Sequence, residues 1–126
     1  MMERIEVRQT AQFEREMRAL TRKFRTLPDD FQVLLRASIQ PFHVLRIDNG
    51  GIERISRVGK TEIEFYKVTK FACKALKGRG AKSGLRVIYA YYPEEPLIEF
   101  IEIYFKGDKP NHDHARIKEY IVEHEK

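Results

Sequence analysis

Residues 84–105 read G-L-R-V-I-Y-A-Y-Y-P-E-E-P-L-I-E-F-I-E-I-Y-F, two apolar runs on either side of a Pro-Glu-Glu-Pro turn. β-Branched and aromatic side chains dominate both runs, a composition suited to the pleated surface of a sheet. The pair is predicted to form a central antiparallel hairpin. Alternation along the first strand sends Arg86, Ile88 and Ala90 to one face and Leu85, Val87, Tyr89 and Tyr91 to the other. In the second strand Glu99 and Glu102 are separated by an odd offset, which predicts opposite faces. One would meet solvent and the other a basic residue on a neighbouring strand.

Upstream, Ile5 to Arg8 alternate as a short first strand. Thr10 can cap a helix whose stripe, Phe13, Met17, Leu20 and Phe24, lies on one face. Leu27-Pro28-Asp29-Asp30 breaks it, and Asp29 with Gln32 has capping-box spacing for a second helix with the stripe Phe31, Leu34, Leu35 and Ile39. Pro41 is expected to end that helix. From Phe42 to Asp48 the period reads as a strand, and Asn49-Gly50 before Ile52–Ile55 predicts a small hairpin. His43 is then a partly buried strand residue and not a metal ligand. Gly59 marks a turn, Phe71 to Leu76 reads equally as strand or helical turn, and Gly78, Gly80 and Gly84 mark a loop. Downstream, Asn111 can cap a last helix carrying Ile117, Tyr120 and Ile121 inward. Together these elements predict an α+β fold: an N-terminal strand and helix hairpin packed on a small, mainly antiparallel sheet, with a C-terminal helix. One domain over residues 1–126 is expected, since such a length suits a single core.

The chain carries 24 basic and 19 acidic residues, with 42% hydrophobic and 34% charged side chains. That is the composition of a globular protein, more charged than most. Its positive charge is local. Between Phe65 and Pro93 stand Lys67, Lys70, Lys74, Lys77, Arg79, Lys82 and Arg86 with no acidic residue, so the remainder is slightly acidic. Aromatic residues interleave with these cations, the pattern of a phosphate or nucleic-acid contact surface. Lys70, Lys74, Arg79 and Lys109 are candidates for RNA backbone contacts on that reading. The N-terminus lacks the apolar run of a signal peptide, and no segment approaches the ~20 apolar residues of a membrane span, so a cytoplasmic location is expected. A single cysteine, Cys73, leaves no internal disulfide or multi-cysteine zinc site and is read as structural.

Two fragments invite chemical readings and fail. G-R-G-A-K-S resembles a phosphate-binding P-loop, yet Ala81 in place of glycine precedes the lysine, and a strand follows in place of a helix. His112-Asp113-His114 resembles a metal fragment, but on a helix positions two apart point about 200° from each other. The remaining use for either histidine is to face the basic groove and carry a proton.

The segment K-S-G-L-R-V-I-Y, its turn, the strand F-I-E-I-Y and the lysine-rich exit resemble the RelE/ParE superfamily of toxins from type II toxin-antitoxin modules. The likeness spans most of the chain and is most specific in S-G-x-R-x-x-Y, here Ser83, Gly84, Arg86 and Tyr89. The Asn49-Gly50 hairpin looks like an insertion relative to the shortest members. The resemblance implies a RelE-like mRNA interferase: a ribosome-dependent endoribonuclease that cleaves messenger RNA without metal or other cofactor and so inhibits translation. A ParE-like inhibitor of DNA gyrase and a noncatalytic RNA-binding module are the alternatives. Carried over, the strand arginine is Arg86, and Lys77 and Lys82 correspond to the preceding lysines. Lys106 or Lys109 stands in for an arginine at the end of the last strand, and His112, His114 or Tyr120 for a tyrosine near the final helix. Implied partners are a cognate antitoxin, in a toxin-antitoxin hetero-oligomer, and the ribosome with its message; no membrane is implied.

Overall fold

The two apolar runs become β4 (Leu85–Tyr92) and β5 (Leu97–Phe105), antiparallel neighbours at the centre of a five-stranded sheet. The computed structural model describes residues 5–48, 50–76, 80 and 82–124. The sheet order is β1-β5-β4-β3-β2, in which β1 (Glu6–Gln9) runs parallel to β5, while β3 (Glu64–Val68) and β2 (Ile52–Ile55) continue antiparallel from β4. This is the expected α+β arrangement of a mainly antiparallel sheet between a helix hairpin and a C-terminal helix.

One face of the sheet receives the hairpin. Thr10 caps α1 (Ala11–Lys23) by accepting the Phe13 N–H at 3.1 Å, and Phe13 is fully buried. Its ring meets those of Phe31 and Phe100 at 5.6 and 5.4 Å, and Phe31 lies edge-on to Phe100 at 4.8 Å. Leu85, Val87 and Tyr89 of β4 complete this core. On the other face Phe65, Ile88, Ala90 and Ile101 pack against Ile117 and Tyr120 of α4 (His114–His124). Among the described residues no helix is long and apolar enough to cross a membrane.

Four expectations are corrected. The second helix begins at Leu27, so Asp29 lies inside its first turn and forms no capping box; Pro28 occupies the opening turn, where its missing N–H costs nothing. Nor does Pro41 end this helix. After α2 (Leu27–Leu34) a π-helical turn, Leu35–Ile39, donates the Gln40 N–H to the Leu35 carbonyl, and α3 (Gln40–Val44) runs on through the proline. The wider turn makes room ahead of the proline ring, which would clash with a carbonyl of the preceding turn in a regular helix. Third, Phe42 to Val44 are therefore helical, and β2 pairs with β3 in place of a hairpin across Asn49-Gly50, of which Asn49 lies outside the described residues.

The fourth correction shapes the site. The β4–β5 register runs Ile88 to Glu102 and then Tyr89 to Phe100, leaving Ile101 as an unpaired bulge. An extra residue reverses the alternation, so Glu99 and Glu102 share the α4 face despite their odd offset. Glu99 accepts the Tyr120 hydroxyl at 2.7 Å. Glu102, only 1% exposed, accepts the Asp113 N–H at 3.0 Å and pairs with Lys109. Arg116 approaches Glu102 at 3.9 Å and forms a two-pronged pair with Glu16 of α1 at 2.7 and 3.0 Å. Two carboxylates, Glu102 buried and Glu99 partly buried, thus anchor α4 along its length.

Candidate nucleic-acid interface

The residues of S-G-x-R-x-x-Y have four separate roles. Ser83 is buried; its hydroxyl donates to the Phe71 carbonyl at 2.5 Å and accepts the Leu85 N–H at 3.1 Å, fastening the start of β4. Gly84 holds φ at 87°, and a Cβ there would meet the Phe105 ring at 3.2 Å. Arg86 faces α4, whereas Tyr89 is buried on the hairpin face against Phe100. A short motif in sequence is divided between the two sides of the sheet.

Around Arg86 the strands assemble a basic surface. Tyr104 of β5 lies directly opposite it, and Lys67 of β3 opposes Ile88, which puts the lysine on the same face one step along. The Lys67 ammonium and the Lys109 ammonium stand 5.8 and 5.5 Å from the centre of the buried Tyr104 ring. Both distances fall within cation–π reach. Lys67 Nζ also donates to Asn111 Oδ1 at 3.0 Å. The guanidinium of Arg86 donates to the Leu85 carbonyl at 3.2 Å. Among the described residues no carboxylate lies within ion-pair distance of Arg86 or Lys67, whereas Lys109 is neutralised by Glu102. Two uncompensated cations beside an aromatic floor are equipped to hold a phosphate.

The histidine pair differs from its helical reading. His112 and Asp113 precede α4, so the angular argument does not apply, and His112 Nε2 lies 3.4 Å from His114 Nδ1. Burial, reinforced by the neighbouring Lys67 charge, holds the His112 pKa below its ordinary value. Its ring is neutral at pH 7, and the hydrogen-bond direction follows from chemistry. An ammonium can only donate, so His112 Nδ1 accepts from Lys67 at 3.3 Å and Nε2 carries the proton toward His114. His114 Nε2 in turn donates to the Arg57 carbonyl at 3.4 Å. Asn111 is no helix cap; its side chain accepts the His112 N–H at 2.9 Å and orients this segment. Among the described residues no group of three or more His, Cys, Asp or Glu side chains is placed to hold a metal ion.

The other sequence candidates divide by position. Lys106 is exposed just beyond β5, its N–H bonded to the Gly84 carbonyl at 2.8 Å, at the Arg86 end of the surface. Lys82 is exposed at the entrance to β4, in an isolated bridge with Phe71. Lys70 and Lys74 lie on the hairpin side: Lys70 borders a cleft with Val33 and Ala37, and the Lys74 N–H bonds to buried Asp30 at 2.9 Å. Lys77 and Arg79 lie outside the described residues. Tyr120 is committed to anchoring α4, since its hydroxyl donates to Glu99 and lies 2.5 Å from that of Tyr92.

No protein-family model matches the chain, and no curated protein matches it significantly. A solved structure does. RelE in the archaeal RelE-RelB complex from Pyrococcus horikoshii OT3 is similar over 82% of this chain and 96% of that chain, with 14% identity and a TM-score of 0.50. The chain has the RelE fold. Within the RelE fold of this chain, Lys67 and Tyr104 are the site members that sequence reasoning missed. Lys67 was one of seven clustered cations, and only the β3–β4 register distinguishes it from the lysines of the hairpin side.

Proposed function

We propose that this protein is the toxin of a type II toxin-antitoxin module, a ribosome-dependent endoribonuclease that cleaves messenger RNA and stops translation. The observation that carries this reading is the convergence of Arg86, Lys67 and His112 on the α4 face of a RelE-fold sheet, the first two without acidic partners. Strand cleavage at a 2′-hydroxyl needs a base, stabilisation of charge on the phosphorane and protonation of the leaving oxygen. Arg86 suits the phosphorane, because a guanidinium stays protonated and offers several donors in one plane. His112 would move a proton through Nε2, whose contact with His114 the RNA would replace, while Lys67 on Nδ1 fixes its tautomer and adds charge beside the phosphate. Lys77, Lys82 and Lys106 would contact flanking phosphates. No step in this scheme calls on a metal.

The solved RelE is bound to RelB, which supports an antitoxin as partner here. A segment that covers the Arg86 surface would silence it by occupying the phosphate site. The test is protein synthesis in a purified translation reaction. Synthesis is expected to stop on addition of the protein and to continue with Arg86→Ala. Unimpaired synthesis with the native protein contradicts the proposal, and DNA gyrase inhibition in its place would favour the ParE-like reading.

A further inference from the structure

On the hairpin face, turned away from Arg86, a cleft of about 480 Å³ opens between α3 and the ends of β3 and β4. Its size is in the ordinary range for small-molecule sites, roughly 300–1,000 Å³. Phe42 and His43 wall it from α3, Tyr66 from β3 and Tyr91 from β4. These rings are held in place. His43 Nε2 lies 2.8 Å from the Tyr89 hydroxyl, its ring stacks on Tyr91 at 4.0 Å, and Tyr66 stacks on Tyr89 at 5.5 Å. Burial lowers the His43 pKa to about 4, so the aromatic wall is uncharged at neutral pH.

The rim carries Arg46, Asp48 and Glu64. Both carboxylates are engaged: Asp48 accepts the Gly50 N–H at 2.8 Å, and Glu64 accepts the Tyr66 hydroxyl at 2.5 Å and faces Arg54 at 3.7 Å. Arg46 is different. Among the described residues no carboxylate lies within ion-pair distance of it, and its backbone has φ of 56° immediately after the C-cap of α3. Glycine adopts that conformation freely and is the common residue at such a position, whereas an L side chain adopts it at a cost.

We infer that this cleft binds a nucleotide, its base against the partly exposed ring of Tyr91 and its phosphate on Arg46. Neutral aromatic faces suit the π-face of a base, and a guanidinium suits phosphate. The nucleotide could be free or part of an RNA strand. Because the cleft and Arg86 lie on opposite faces, the inference does not rest on the cleavage reading.

The experiment follows the NMR spectrum of the labelled full-length protein during titration with AMP, CMP, ribose 5-phosphate and a short single-stranded RNA. Saturable shifts are expected at Tyr66, Tyr91 and His43 with the mononucleotides and not with ribose 5-phosphate. An RNA strand that binds at the same residues at least about tenfold tighter assigns the site to RNA, and equal affinity assigns it to free nucleotide. Arg46→Gly relieves the positive φ, so it should keep or raise Tm while weakening binding by roughly tenfold, the loss of one charge-assisted contact. Tyr91→Ala should weaken it as well. The inference is overturned by no saturation at about 20 mM nucleotide, by ribose 5-phosphate binding equally well, by shifts confined to the Arg86 face, or by native affinity in folded Arg46→Gly.

Discussion

Arg86 and His43 have opposite relations to their surroundings. Among the described residues no carboxylate pairs with Arg86, so its charge is available to a ligand, and the chemistry proposed here depends on that availability. Arg86→Ala is expected to lower cleavage about a hundredfold, the scale of a lost charge-stabilising donor, and Arg86→Lys to recover only a small part because an ammonium lacks the planar fork. Single-turnover assays on stalled ribosomes would measure both. His43 is kept neutral by burial, with a folded pKa of about 4 against an ordinary 6.5. The unfolded chain therefore binds the extra proton first, so protonation favours unfolding. Stability is expected to be full above pH 6.5 and to fall as the pH drops toward 4, and His43→Gln should flatten that part of the profile. Thermal melts across this range check the sign.

Between residue and fold, the decisive element is the bulge in β5. It brings Glu99 and Glu102 to one face and so supplies both anchors of α4. Glu102→Ala would leave Lys109 and Arg116 without this partner and the Asp113 N–H without its acceptor. The expected cost is about 3 kcal/mol, the low end for a broken buried pair because Lys109 is partly exposed. Denaturant unfolding would give the cost, and amide exchange should quicken first in α4. The bulge was not legible beforehand, because strict alternation is the only guide a lone strand offers and one unpaired residue inverts it. A similar limit hid α3. Phe42-His43-Val44 carries strand-like residues after a proline, and the π-helical turn that accommodates Pro41 leaves no local mark. By contrast Phe13, Phe31 and Leu34 lay on clear helical stripes and all became core, because periodicity over several turns reports burial directly.

At the scale of the whole molecule, the sheet separates two chemistries. The α4 face presents Arg86, Lys67, Tyr104 and the His112 segment, and the hairpin face holds the aromatic cleft. Composition revealed the basic stretch and the motif revealed Arg86, but neither could distribute the lysines. Lys67 and Lys70 are three residues apart, yet one joins Tyr104 and the other borders α2, a division set by the end of β3 at Val68. If Lys67, Arg86 and Lys106 each neutralise one phosphate, replacing any of them by alanine should weaken RNA binding at all sequences and reduce the salt slope by about one. Replacing Lys70 should leave the slope at the cleavage site unchanged. Filter binding over a salt series would separate these cases.

The central claim is that Arg86, Lys67 and His112 cut messenger RNA on the ribosome. Primer extension on message recovered from a purified translation reaction tests it most directly, with native protein, Arg86→Ala and a ribosome-free control run in parallel. Discrete cuts that need ribosomes and disappear with Arg86→Ala are the expected result. Intact message in the presence of native protein, or cuts that persist unchanged in Arg86→Ala, would contradict it.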